Sequence, residues 1–361
     1  MTGADISSLR LRAQSIAPPD EETPAAVVAR LGAVQAQDHP GVLWSIALRT
    51  PAATRADVER AIAERAIVRT WPMRGTLHFV PAADARWMLE LLAPRVVKGA
   101  AGRHRQLELD DEAFARSRTI VERALATRGV MTRTALYAEL DRGGVSTAGQ
   151  RGIHILQRLS MEAMLVFGPH DEKQPTFALF DEWIGESVRL DRDDALRTIA
   201  ARYFAGHGPA TLRDFVWWTG LTVKEAKLGL ELARPSLERM VVSDDELYLA
   251  AGRPASAETA QRAHLLPGFD ELLLGYRDRS AVLAPGDAER ICPGGNGMFL
   301  STLVLDGRVV GTWRRAARAT SVTIEATPID ALTARQKREF VEPAERYGRF
   351  LDVPVTLTWA S

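Results

Sequence analysis

Apolar residues recur at helical spacing through the first two thirds of the chain and at strand spacing through much of the final third. Asp5 or Ser7 is placed to cap a helix running through LRLRAQSI. Thr23 followed by Pro24 opens a second, over TPAAVVARLGAVQ, because proline suits the first helical position and threonine the cap. This puts Gln35 in the last turn of that helix and Gln37 at or beyond its end. LWSIALRT predicts a third helix, and TRADVERAIAERAI a fourth with Val58, Ile62 and Ala66 along one side. The period then falls to two. IVRTWP and GTLHFVP flank Met73-Arg74-Gly75 and predict a β-hairpin.

The same order returns twice. DEAFARSRTIVERALATR, TRTALYAEL capped by Thr132, and STAGQRGIHILQRLSMEA capped by Ser146 read as helices, followed by strand, loop and strand in MLVFGPHDEKQPTFALF. A third round has helices in DDALRTIAARYFAGHG, TLRDFVWWTG and TVKEAKLGLELA, then a hairpin in LERMVVSDDELYLA. Helices followed by a two-stranded wing give the winged helix-turn-helix order. The repetition is one of pattern and not of residues. Beyond it, LVLDGRVV folds over Asp306-Gly307, a strong hairpin turn. TSVTIEATP and VPVTLTWA read as strands around a helix in DALTARQKREFVEPAERYGRFL. The expected class is α+β: three tandem winged helix-turn-helix units over 1–100, 101–188 and 189–258, then a β-rich α+β module over 259–361. A long Pro/Gly-rich loop, 283–297, interrupts that module.

Composition narrows the function. A chain of 361 residues with 46% hydrophobic and 25% charged residues has the balance of a globular protein of several modules. Cys292 is the only cysteine, which excludes an internal disulfide and a multi-cysteine zinc site. The seven histidines show no ligand spacing, so neither metal nor organic cofactor is expected. No apolar run is long enough to span a bilayer and the start lacks a signal core, which points to a cytoplasmic protein without membrane contact.

Net charge is zero, unlike that of most nucleic-acid binders. The positive charge is nearly all arginine, however, with lysine only at Lys98, Lys173, Lys224, Lys227 and Lys337. Arginine suits phosphate because its planar fork bonds bidentately, though a GC-rich genome gives the same bias. The densest basic spots are Arg103-His104-Arg105 and Arg314-Arg315 with Arg318. Each reads equally as a phosphate contact or a solvated surface.

VQAQDHPG, RTWPMRGTLHFVP, LLPGFDELLLGYRDR and LVLDGRVVGTWRR together resemble the winged-helix DNA glycosylase family of AlkZ and YcaQ. The resemblance covers nearly the whole chain. It implies excision of bulky N7-alkylated purines from double-stranded DNA, with some members unhooking interstrand crosslinks. The family's catalytic motif is Gln-Φ-Gln or Gln-Φ-Asp, with Φ apolar, and Gln35-Ala36-Gln37 matches the first form. Residues two apart on a helix point about 200° away from each other, whereas extended backbone would let them converge. A structural alternative is that both amides cap backbone carbonyls. Asp38 and His39, next in sequence, are alternative bases.

Neutral glutamines suit such a substrate. Alkylation at N7 makes the purine cationic and a good leaving group. The transition state is oxocarbenium-like, so the site needs a positioned water and not a strong acid. In the hairpin, Leu77 and Phe79 read as core, and His78 falls on the opposite face, toward DNA or the site. Arg69, Arg74, His78, Arg314 and Arg315 are the expected DNA contacts. Trp217-Trp218 suggests a stacking platform, with at least one indole expected in the core. Asp270-Glu271 reads as structural, since adjacent residues point apart. The expected protein is a monomeric, monofunctional, nucleoid-associated DNA glycosylase. The alternative is a non-catalytic winged-helix regulator, because fold alone does not fix function.

Overall fold

The structure, a computed structural model, describes residues 3–171, 174–252, 262–318 and 320–360. The boundary expected between residues 258 and 259 lies outside the described residues. Two compact units form. One collects Met1–Arg60, Leu196–Trp218 and Thr222–Ser361, and the other Ala61–Ala195 with Thr219–Leu221. Helix and strand are mixed as the sequence pattern predicts. Among the described residues, no helix is long and apolar enough to cross a membrane.

In the unit built on residues 61–195, the predicted hairpin forms from Ile67–Met73 and Thr76–Pro81, paired antiparallel. Arg74 and Gly75 sit at φ 55° and 73°, the left-handed pair that a two-residue primed turn needs to match strand twist. The Gln157 side chain donates to the Gly75 carbonyl at 3.1 Å and holds the turn. From Ile67–Met73 the sheet continues through Leu165–Phe167 and Thr176–Leu179 to Val130–Thr132. Thr132 then caps the next helix, as expected, by accepting the Ala135 amide. The long amphipathic helix starts later than the cap at Ser146 implies, spanning Arg151–Met161. Thr147 instead bonds Asp141. The sequence pattern gives no helix over 82–100, yet Ala85–Gly99 is one. Pro94 lies inside it and masks the signal, and burial of Trp87, Met88, Leu91 and Leu92 offsets the lost backbone bond.

The third predicted round forms as helices Arg192–His207, Leu212–Thr219 and Val223–Ala233, followed by the antiparallel pair Leu237–Val242 and Asp245–Ala250. Thr222 and Glu225 close a reciprocal capping box at the start of Val223–Ala233.

The C-terminal sheet orders Val355–Trp359, Val322–Pro328, Arg308–Ala317, Thr302–Leu305 and Ala263–Leu266. Its first pair is parallel and the others antiparallel. The segment expected as one helix before the last strand is two, Ala334–Arg338 and Val341–Leu351. Thr333 starts the first with a capping box, which fixes a separate entry angle. The core of this region is aromatic: Trp44 and Trp313 both meet Tyr347 edge-on, at 5.1 and 5.2 Å.

Candidate active site around Gln35 and Gln37

The helix expected to reach Gln35 stops four residues earlier. It spans Pro24–Leu31 and ends on Gly32 at φ 77°, a left-handed cap glycine. The backbone is then extended, with Val34–Gln35 a short strand. The strand closes at Gln35, so Gln35 and Gln37 do not sit on a continuous helix. Ala36 is fully buried, Gln35 is buried at 8% exposure, and Gln37 is exposed. The helical geometry that would split the two amides is therefore absent here. Pro40 sits in the first turn of the next helix, His39–Ala47.

Both flanks of the motif are held by residues more than 200 positions away in sequence. The Gln35 amide N–H donates to Glu271 Oε1 at 3.1 Å. Glu271 Oε2 accepts from Trp218 Nε1 at 2.9 Å and lies 3.3 Å from His207 Nε2. Glu271, His207 and Trp218 are each fully buried. Trp218 also closes on Gly32, where an added Cβ would stand 3.5 Å from its ring.

Asp270, the neighbouring acid, points elsewhere and fixes the helix that follows the motif. It takes a bidentate bond from Arg49, both contacts at 2.9 Å, and one from Ser45 at 2.6 Å. Arg49 spends its remaining donors on the Ser45 carbonyl and on Gln14, so this buried ion pair has its hydrogen bonds satisfied. Arg346 binds the carbonyls of Leu48 and Thr50 at 2.7 and 3.1 Å, completing the helix's C-terminal end. Asp270-Glu271 is thus an anchor for the site. The expectation of a structural role stands, and only the folded chain shows which elements the pair joins.

Asp38 follows the motif and opens onto a small cleft with Trp44, Trp313, Arg315 and Tyr347. An added Cβ at Gly41 would meet Asp38 Oδ2 at 2.4 Å, so the carboxylate needs a glycine there. Arg315 donates to the Tyr347 hydroxyl at 2.9 Å. Burial raises the Tyr347 pKa, Arg315 opposes the rise and the Asp38 charge adds to it. The cleft holds about 50 Å³. A water's share of liquid volume is about 30 Å³, so the space suits water or one phosphate oxygen and excludes a nucleobase.

The other expected site residues lie as follows. Arg314 pairs with Glu325 on the neighbouring strand and is exposed. Arg69 is buried at 9% exposure, with its guanidinium 5.0 Å from the centre of the Phe167 ring. His78 is fully buried. Its Nδ1 faces the Thr76 carbonyl at 3.0 Å and its Nε2 faces Arg74 Nη2 at 3.3 Å. A carbonyl only accepts, so Nδ1 is the donor in that contact. In the Asp306-Gly307 turn the glycine is buried and Asp306 is exposed. Arg262 grips Asp306, and a Cβ at Gly307 would meet Ser7 Oγ at 2.3 Å.

The profile of the family described as "DNA glycosylase AlkZ-like" matches residues 28–350. The chain belongs to the AlkZ-like DNA glycosylase family. One AlkZ-like relative, the interstrand DNA cross-link repair glycosylase of Streptomyces sahachiroi, is 28% identical over 353 residues. That match covers 91% of this chain and 92% of the relative. The solved structure of the Streptomyces sahachiroi DNA glycosylase AlkZ shares the fold, with a TM-score of 0.81 at 24% identity. It covers 99% of this chain and 100% of the other. The resemblance carried by the motif segments is therefore borne out at the level of family, fold and glycosylase class. For an AlkZ-like enzyme the substrate is DNA.

Proposed function

We propose that this AlkZ-like enzyme hydrolyses the N-glycosidic bond of N7-alkylated purines in duplex DNA, with Gln35 and Gln37 at the reacting centre. The observation that supports the reading is that the helix ends at Leu31 and Gln35 closes a short strand, so the i,i+2 pair of amides is not set on opposite faces of a helix. Their carbonyls can orient one water toward the sugar carbon. The developing positive charge on the sugar meets amide dipoles, while the cationic purine leaves as a neutral base. Water is the nucleophile, so the enzyme is a monofunctional hydrolase acting without metal or organic cofactor.

Arg315, beside Asp38, is placed to take a backbone phosphate near the reacting nucleotide. Arg314 and Arg74 complete the proposed DNA contacts, and the buried Arg69 and His78 act by shaping the hairpin. The three helix-and-wing rounds serve as winged helices. The name of the Streptomyces relative makes interstrand crosslinks the leading substrate among bulky adducts. The protein works as a monomer at the nucleoid.

The test uses duplexes carrying a single N7-methylguanine, or an N7-linked interstrand crosslink. Wild type should release free base or unhook the crosslink. Gln35→Ala and Gln37→Ala should each slow release by at least about 100-fold, as loss of a positioned general-acid–base or water-orienting group does, while DNA affinity holds. Unimpaired release by both variants would remove the two glutamines from the chemistry.

A further inference from the structure

Trp217 and Trp218 are adjacent, yet they have opposite fates. Trp218 is fully buried on Glu271, while Trp217 is 46% exposed. An indole left that open covers little core. Beneath it lies the Arg279 guanidinium, 5.7 Å from the Trp217 ring centre and 5.0 Å from that of Phe299. Arg279 is itself fixed, its Nε donating to the Leu273 carbonyl at 2.7 Å. No carboxylate forms an ion pair with it among the described residues.

On either side of Phe299, Met298 and Leu300 are 59% and 42% exposed. Their segment is rigidly held. The Leu300 amide donates to the Ile291 carbonyl at 2.9 Å, and Gly268 approaches so closely that an added Cβ would stand 2.5 Å from the Phe299 carbonyl oxygen. The next residue, Ser301, lines the cleft that contains Asp38, immediately after Gln37.

We infer that Trp217, braced by Arg279 and joined through it to the segment that carries Met298 and Leu300, is a stacking surface for an unpaired nucleobase of the bound DNA. An aromatic face backed by a cation and bordered by apolar side chains is what a planar, π-rich base with a nearby phosphate requires, and it is indifferent to base identity. Met and Leu are also residue types that wedge between base steps. The inference rests on the proposed DNA-binding function for its ligand. It adds a site separate from the two glutamines that holds a base displaced beside the lesion. The Asp38 cleft is too small for that role.

The experiment uses lesion-free DNA, so it does not depend on excision. Two duplexes are compared, identical except that 2-aminopurine is either unpaired in a one-nucleotide bulge or paired. Wild type should bind the bulged duplex about tenfold more tightly, about 1.4 kcal/mol at 25 °C, and quench its fluorescence by stacking. Trp217→Ala should lose both the preference and the quenching, and Trp217→Phe should restore most of each. Met298→Ser combined with Leu300→Ser should weaken the preference with the melting temperature unchanged. Equal binding of the two duplexes by wild type, or a preference that survives Trp217→Ala, overturns the stacking surface alone. Failure to bind either duplex overturns the DNA-binding function and the surface together.

Discussion

Replacing Glu271 by glutamine tests whether a buried carboxylate sets the geometry of the motif. Its two oxygens serve the Gln35 amide at 3.1 Å on one side, and Trp218 Nε1 at 2.9 Å with His207 at 3.3 Å on the other. The amide of glutamine has one acceptor oxygen and one donor group. Whichever way it turns, an N–H faces an N–H, either that of Gln35 or that of Trp218. A buried donor left without an acceptor costs about 1–3 kcal/mol. Keeping the shorter bond to Trp218 leaves the Gln35 amide stranded, and Val34–Gln35 is then free to shift. Glu271→Gln should therefore lower unfolding stability by about 2 kcal/mol, a fall of several degrees in melting temperature. It should also slow base release well beyond any loss of DNA affinity, since displacement of about 1 Å at a positioned group can cost about 100-fold. Chemical denaturation and single-turnover excision read the two effects separately. A variant that melts and excises like wild type would refute the anchoring role. One that loses stability but keeps its single-turnover rate would confine Glu271 to the core.

Two further outcomes follow from the same buried network. Arg49→Met strands the Asp270 carboxylate with only Ser45 and the Leu272 amide, which should cost about 3–5 kcal/mol in urea unfolding. Adding Asp270→Leu should recover part of that loss, and no recovery would show that packing and not charge dominates. His264 titrates at about 4 in the folded state because it is buried and lies near Arg346 and Arg49. The unfolded state, with its histidine near about 6.5, takes up the proton first as pH falls. Stability from this residue is complete above about 6.5 and is lost down to about 4, by on the order of 3 kcal/mol. His264→Leu should flatten the stability profile over that window, and an unchanged slope would place the acid sensitivity elsewhere.

Sequence alone determined a large part of this protein. The hairpins at Arg74-Gly75 and Asp306-Gly307, the caps at Thr23 and Thr132, and the third round of helices with its two-stranded wing are local. Each is dictated by a cap, a turn residue or a period that a few neighbouring residues settle. The Gln-Ala-Gln triplet was legible as a motif, and the segments quoted for it pointed to the right family.

Tertiary structure decided what makes the triplet a candidate site. The TPAAVVARLGAVQ stretch carries helical periodicity to its end, yet its last residues are extended. Gly32 breaks the helix, and Glu271 supplies a bond to the Gln35 amide that a further helical turn would have consumed. No local rule places an acid 236 residues away against that amide. Trp217 and Trp218 are indistinguishable by residue type, and only packing on Glu271 and Arg279 buried one and left the other open. Asp306-Gly307 has the turn chemistry of an exposed loop tip, and contact with Ser7 buries its glycine while Asp306 stays exposed. Secondary structure here follows short-range backbone and cap preferences. The direction of each side chain in the site follows from where a buried polar group could find its partner, which only the folded chain provides.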